Sequence, residues 1–176
     1  DEDGWTPLYS ACVRGHANAA QLLLGKGAEV DRTNKDGRTP LFIARKDARK
    51  DGHVDAARLL LEKGAEVDRV VSEGLYEGQT PLYVACKAGQ VDTARMLLDK
   101  GAEVDRAVSK GWWEGLTPLY VACGKGHVDT ARLLLDDGAA VDRADKWDQT
   151  PLHNACQNGH VDVAQLLLDK GADVNR

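Results

Sequence analysis

The tripeptide Thr-Pro-Leu occurs five times in this chain of 176 residues, and its copies contain all five prolines. The copies start at Thr6, Thr39, Thr80, Thr117 and Thr150, so the spacings are 33, 41, 37 and 33 residues. A Gly-Ala pair recurs in step with them, at Gly27, Gly64, Gly101, Gly138 and Gly171. A period of this length indicates a protein of stacked repeats, in which each unit contacts only its neighbours.

Each unit predicts two short helices. Threonine is a good N-cap and proline is favoured at the first helical position, so a helix begins at every Thr-Pro. A glycine is expected to end this helix, and a second helix then runs to the Gly-Ala pair. Helices of about ten residues are not stable alone in water, so they must stack on the neighbouring pair. The predicted inter-helix glycines are Gly15, Gly52, Gly89, Gly126 and Gly159.

The consensus of the units, TPLYVAC followed by GH and VDTARLLLDKGAEVDR, resembles the ankyrin repeat in five copies over essentially the whole chain. The resemblance implies an all-α repeat solenoid of stacked helix-turn-helix ankyrin repeats, with β-hairpin loops projecting at right angles to the helices. It also implies that the hairpins and the first helices line a concave surface. We expect a single ankyrin repeat domain over 1–176, with repeats at about 1–33, 34–70, 71–107, 108–144 and 145–176.

The repeats depart from their own spacing in three places. The segment ARKD at 44–47 is repeated at 48–51, which predicts one extra turn in the first helix of repeat two. The hairpins at 70–79 and 107–116 each carry four extra residues. An even insertion can add two residues to each arm of a hairpin and keep the facing of its side chains.

Aromatic side chains on the hairpins are the strongest functional signal. Trp112, Trp113 and Trp147 lie in hairpins, and large aromatic residues are the usual anchors of protein interfaces. The alternative is that Trp112 or Trp113 folds back onto its own or the adjacent hairpin. The predicted partner-binding residues are Trp5, Arg38, Leu75, Tyr76, Glu77, Trp112, Trp113, Glu114, Lys146 and Trp147.

The concave helix surface is a second candidate site. The resemblance implies that the two residues before each inter-helix glycine face it, and the alternative is that most of them face solvent. These pairs are Val13-Arg14, Lys50-Asp51, Lys87-Ala88, Gly124-Lys125 and Gln157-Asn158. The histidine that ankyrin repeats usually carry after Thr-Pro-Leu is kept only as His153. The aromatic residues that replace it are expected to pack between repeats, and they are Tyr9, Phe42, Tyr83 and Tyr120.

Catalysis and metal binding find no support in the residues. Cys12, Cys86, Cys123 and Cys156 share one repeat position, and helices stacked about 8–10 Å apart hold such thiols too far apart for a disulfide or a zinc site. His16, His53, His127 and His160 follow the inter-helix glycines, where a structural role is expected. His153 has no matched nucleophile, and no catalytic motif is present. The sequence therefore predicts no enzyme, no cofactor and no metal.

Composition excludes further classes. The net charge of −5 argues against a nucleic-acid partner, and no apolar run approaches the 18–20 residues or so of a membrane span. Reduced thiols indicate an intracellular protein, which we expect in the cytoplasm. We expect a monomer, with end-to-end stacking open to it because no polar capping repeat follows repeat five.

These observations predict a non-enzymatic protein–protein interaction module, a scaffold that binds a protein partner through its hairpin fingers and concave helix surface. Three alternatives stay open. The chain could be the ankyrin segment of a larger protein, serving as a regulatory or substrate-recruiting domain. It could be an engineered ankyrin binder, or a structural spacer whose fingers contact each other. The partner's identity does not follow from the fold.

Overall fold

The structure is a computed structural model that describes residues 2–44 and 51–176, with 51 and 52 as backbone only. The described residues form ten α-helices and no β-strand. The helices are α1 Pro7–Val13, α2 Ala17–Gly25, α3 Pro40–Ile43, α4 Asp51–Glu62, α5 Pro81–Lys87, α6 Val91–Asp99, α7 Pro118–Gly124, α8 Val128–Asp136, α9 Pro151–Gln157 and α10 Val161–Asp169. Odd-numbered helices stack on one another in chain order, and so do the even-numbered helices. The all-α repeat solenoid is thereby confirmed.

Every first helix begins as the sequence predicts. Each threonine before a proline has extended backbone, and its hydroxyl accepts a hydrogen bond from the backbone N–H three residues on. The distance is 3.0 Å for Thr6 and Tyr9 and 3.1 Å for Thr80 and Tyr83. The cap satisfies one of the donors that a helix start leaves without a partner.

Repeat two departs from the expectation. Helix α4 begins at Asp51 and runs through Gly52, whereas the corresponding helices of the other repeats begin after their glycine. The prediction that Gly52 separates two helices is therefore wrong. A glycine inside a helix costs only about 1 kcal/mol, so neighbouring contacts can override it. The predicted extra turn and Lys50 fall in 45–50, outside the described residues.

Three of the histidines after the glycines, His53, His127 and His160, tie their repeat to the one before. Nε2 of His127 lies 3.3 Å from the carbonyl oxygen of Lys87, and the same bond joins His160 to Gly124 at 3.2 Å. The His127 ring fills the space beside Gly89, where a Cβ would lie 2.7 Å from Nδ1. Gly89 therefore leaves room for the stacked ring as well as forming the turn. The expected structural role is seen for His53, His127 and His160.

The core is made of small aliphatic residues and four aromatic side chains. Leu, Ala and Val supply most of it, and the side chains of Tyr9, Phe42, Tyr83 and Tyr120 are buried with them. All four are buried, which agrees with the expectation that they pack inside the stack. Burial of this stripe gives the short helices the stability that they lack alone.

The loops between repeats, called fingers here, are hairpin-like without strands in the described part of the chain. The four fingers are residues 33–38, 70–79, 107–116 and 144–149. In the second finger, the N–H of Gly78 bonds the carbonyl of Val71 at 2.8 Å, and Gly74–Tyr76 form a 3₁₀ turn at the tip. The extra residues of the second finger thus form a compact turn, and the two longer β-arms that an even insertion can give are not seen. Bonds inside the turn, from Glu77 N–H to the Gly74 carbonyl and from Gln79 N–H to the Tyr76 carbonyl, both at 3.0 Å, satisfy its backbone groups.

Candidate functional site

Three of the predicted tryptophans meet in one groove. Trp112, Trp113 and Trp147 line an open cavity of about 370 Å³ together with Tyr83 and Tyr120. The groove lies between the third and fourth fingers and helices α5, α7 and α9. Five of the nine aromatic residues of the chain therefore line one surface. The sequence alone did not predict this convergence.

The third finger holds two tryptophans at its tip. Its base is anchored by the buried side chains of Val108 and Leu116, whose backbones pair at 2.9 Å. Trp112 is 90% exposed and Trp113 is 43% exposed. Trp112 therefore does not fold back onto the protein.

The second and third fingers contact each other. The backbone N–H of Ser109 donates to the carbonyl of Gly78 at 3.3 Å, and Lys110 Nζ lies 3.9 Å from Glu77 Oε1. Gly78 permits this approach because a Cβ there would lie 2.6 Å from the backbone nitrogen of Lys110. The second finger thereby supports the finger that carries Trp112.

Lysine side chains of the same protein cover two of the indole rings. Lys87 Nζ lies 4.9 Å from the Trp113 ring centroid, and Lys146 Nζ lies 4.5 Å from that of Trp147. A cation over an indole face is attracted by the negative potential of the ring. The groove therefore presents ammonium groups directly beside its aromatic rings.

A hydrogen-bond network forms the floor beneath the fourth finger. The Asp145 carboxylate accepts bonds from the backbone N–H groups of Trp147 at 2.9 Å and Gln149 at 3.0 Å, which fixes the loop that carries Trp147. The Tyr120 hydroxyl donates to Gln149 Oε1 at 3.2 Å. Burial, with Asp145 nearby, raises the pKa of Tyr120 to about 12. Tyr120 is thus a neutral hydrogen-bond donor at physiological pH.

A glycine in the lining of the groove makes room for an amide side chain. Gly124 has no side chain at the repeat position that Lys87 and Gln157 occupy, and a Cβ there would collide with the Asn154 amide. That amide is held in place because its nitrogen donates to the Tyr120 carbonyl at 3.0 Å. The space that a side chain at Gly124 would need is therefore occupied by the Asn154 amide.

Three predicted contact residues lie apart from the groove and support the loops. Trp5 packs on Tyr9 with ring centroids 5.1 Å apart. The Arg38 guanidinium stacks 4.6 Å above the Tyr76 ring and pairs with Asp36 at 3.0 Å. The Tyr76 ring in turn meets Phe42 edge-on at 5.7 Å.

The remaining predicted residues lie on the fingers. Leu75 is 82% exposed, Glu77 is partly covered beside Lys110, and Glu114 and Lys146 are exposed. None of Leu75, Glu77 and Glu114 is among the described residues that line the groove.

Sequence reasoning missed part of the floor. It named Lys87, Gly124, Lys125 and Asn158 as facing the concave surface, and these residues do line the groove. Tyr83, Tyr120, Asp145, Gln149 and Asn154 were not expected there. The sequence does indicate the tyrosines. Tyr83 lies four residues before Lys87, and Tyr120 lies four residues before Gly124, so each tyrosine shares a helix face with a residue that was expected in the groove.

The His, Cys, Asp and Glu residues that the structure describes do not converge on a metal site. The four thiols are free, with Cys12, Cys86 and Cys123 buried and Cys156 exposed. No helix among the described residues is both long and apolar enough to span a bilayer.

Comparison with known proteins identifies the family. A sequence model of the ankyrin repeat family, built on three copies of the repeat, matches residues 1–71, 31–108 and 106–176. The chain therefore belongs to the ankyrin repeat family. Ankyrin repeats are generally protein-interaction modules and are typically not enzymes.

Curated relatives match over short stretches. Human protein phosphatase 1 regulatory subunit 27 is 42% identical over 50 residues, or 28% of this chain and 32% of that protein. An ankyrin repeat-containing protein of Schizosaccharomyces pombe is 37% identical over 46 residues, or 26% of this chain and 22% of its own length. The 2-5A-dependent ribonuclease of Mus musculus is 46% identical over 44 residues, or 25% of this chain and 6% of the ribonuclease. The chain thus spans about a third or less of these relatives.

Proposed function

We propose that this protein is a non-enzymatic scaffold that binds a protein partner in the groove between its third and fourth fingers. One observation carries the proposal. In a chain with only 5% aromatic residues, five of them line a single groove, and Trp112 at its rim is 90% exposed. Large exposed apolar side chains that are grouped in this way are typical of interaction sites.

The three tryptophans of the groove are its anchors in this proposal. Fully covered aromatic residues supply most of the binding energy of interfaces. Leu75, Glu77 and Glu114 extend the contact surface along the fingers, and Lys146 tunes the charge beside Trp147. Arg38, Tyr76 and Trp5 contribute by holding loops in place. The rigid stack keeps the groove preformed, which lowers the entropy cost of binding.

The wider organisation is part of the same proposal. Residues 1–176 form a single ankyrin repeat domain with the five repeats given above, and the protein acts as a monomer in the cytoplasm. A second candidate is the regulatory or substrate-recruiting segment of a larger protein. It is favoured by the match to a phosphatase regulatory subunit, of which the chain spans only 32%.

A quantitative pull-down from a lysate of the source organism, read by mass spectrometry, tests the groove. The bait is the wild type beside the double variant Trp112→Ala and Trp113→Ala. The matched control is Leu22→Ala with Val174→Ala, which removes exposed apolar side chains outside the groove. We expect a protein that the wild type and the control capture and the tryptophan variant loses. Equal capture by all three baits contradicts the proposal.

A further inference from the structure

We infer that the groove binds an acidic segment of its protein partner, in which an Asp or Glu side chain lies beside an apolar or aromatic one. The inference rests on the proposed function, because it names the class of partner segment for the same groove. Three features of the groove carry it: the sign of its lining charges, the occupation of its ring faces, and the exposure of its rim.

The first feature is a local charge opposite to that of the whole molecule. Lys87 and Lys125 line the groove, and Asp145 is the acidic residue among the described lining residues. Asp145 Oδ1 already accepts two backbone N–H bonds, at 2.9 and 3.0 Å, which offset part of its charge. Lys146 covers Trp147 but is not itself among the lining residues. A chain of net charge −5 thus carries a locally basic groove, which attracts anionic partners.

The second feature is the occupation of the indole faces. Lys87 covers Trp113 and Lys146 covers Trp147, at 4.9 and 4.5 Å from the ring centroids. A cationic guest would have to displace these lysines and would be repelled by them. An anionic side chain can pair with the same ammonium groups and meet the positive edges of the rings, including the indole N–H donors. The occupied faces therefore favour an anion over a cation.

The third feature indicates a protein segment as the guest. Trp112 stands at the rim with 90% of its side chain exposed, while the groove itself holds only about 370 Å³. A small anion in the groove would leave Trp112 in water. A polypeptide can place its carboxylate beside Lys87 and cover Trp112 with the neighbouring apolar side chain. The partner segment is therefore expected to carry its acidic residue directly next to an apolar one.

Selection from a library of random 12-residue peptides displayed on phage tests the inference. The immobilised wild type is the target, and the variant Trp113→Ala with Trp147→Ala is used for counter-selection. We expect enriched peptides to carry Asp or Glu next to Leu, Phe, Tyr or Trp. Synthetic copies of those peptides are then measured by fluorescence anisotropy, and their affinity should fall as salt screens the charges.

Two matched lysine variants separate local charge from net charge. Lys87→Met with Lys125→Met keeps the aliphatic stems and removes both charges from the groove. Lys63→Met with Lys100→Met makes the same change in net charge at exposed positions that do not line it. We expect the groove variant to weaken peptide binding by about tenfold or more, as loss of interfacial charge pairs does. The control should stay within about twofold of the wild type.

The possible results are distinct. Enrichment of neutral or basic peptides, no enrichment over the tryptophan variant, or unchanged affinity in the groove lysine variant would each overturn the inference. Peptides or lysate proteins that need the tryptophans but not Lys87 and Lys125 would leave the groove as the binding site and remove only its acidic preference. Lysate capture that is indifferent to the tryptophans would instead remove the proposed function.

Discussion

Tyr83 and Tyr120 combine two roles at one repeat position. Both side chains are buried between repeats, yet both also line the groove. An aromatic ring can bury its body and present its polar tip, and the Tyr120 hydroxyl does so when it bonds Gln149. The sequence analysis predicted the packing and missed the lining, although the four-residue spacing of Tyr83 from Lys87 and of Tyr120 from Gly124 indicates a shared helix face.

Cysteine reactivity is expected to differ within one repeat position. Burial raises the pKa of Cys12 and Cys123 to about 12 and raises the pKa of Cys86 well above its ordinary value, while Cys156 is exposed. The thiolate is the reactive form, so the buried thiols stay protonated and covered at pH 7.5. We expect the disulfide reagent DTNB to label one thiol rapidly in the native protein and four in denaturant, followed by absorbance.

The variant Cys156→Ser is the control for this labelling. It should abolish the rapid phase and leave three thiols that react only on unfolding. Rapid labelling of two or more thiols in the native wild type would contradict the expected burial.

At the scale of elements, the fingers depend on one another. The long second and third fingers meet through the backbone bond from Ser109 to Gly78 and through Lys110 and Glu77. Side-chain bonds also join the segments that precede the fingers, as when Asp68 accepts from the backbone N–H of Glu103 at 2.9 Å. The second finger therefore supports the third finger, which carries Trp112 and Trp113.

The variant Gly78→Ala is expected to separate the second and third fingers. Its Cβ would lie 2.6 Å from the Lys110 nitrogen, and Gly78 has a φ of 76°. Gly74→Ala is the matched control, with a φ of 81° and its nearest atom 3.9 Å away. Both variants should lose about 1–2 kcal/mol to backbone strain. Only Gly78→Ala should accelerate hydrogen exchange of the Ser109 amide, by about tenfold. Equal exchange in the two variants, measured by NMR, would count against finger pairing.

At the scale of the whole molecule, the groove belongs to no single repeat. Its lining comes from α5, α7 and α9 and from the third and fourth fingers. In a solenoid each repeat contacts only its neighbours, so a surface of this size needs several consecutive units. The histidine-to-carbonyl bonds that join these units fix the spacing between the groove's walls.

Local charge at the groove should be visible in tryptophan fluorescence. The quantity to measure is the Stern–Volmer quenching constant of each ion, divided by the constant of the same ion for free tryptophan amide. Although the net charge is −5, we expect this normalised constant to be about twofold larger for iodide than for caesium. Exposed Trp112 and Trp147 supply most of the quenched signal. In the variant Lys87→Met with Lys125→Met, the ratio of the iodide constant to the caesium constant should approach one. A ratio below one in the wild type would mean that net charge dominates at the groove.

The sequence by itself determined the repeat, its helix starts and its family, because caps, glycines and apolar spacing act within a few residues. It also determined that tryptophans stand on the fingers. Only the tertiary structure decided that α4 runs through Gly52, that the long fingers end in turns, and that Lys87 covers Trp113. Tyr120 and Gln149 are 29 residues apart and meet only because neighbouring repeats stack. Contacts between separate units follow from the geometry of stacking, which no local pattern specifies.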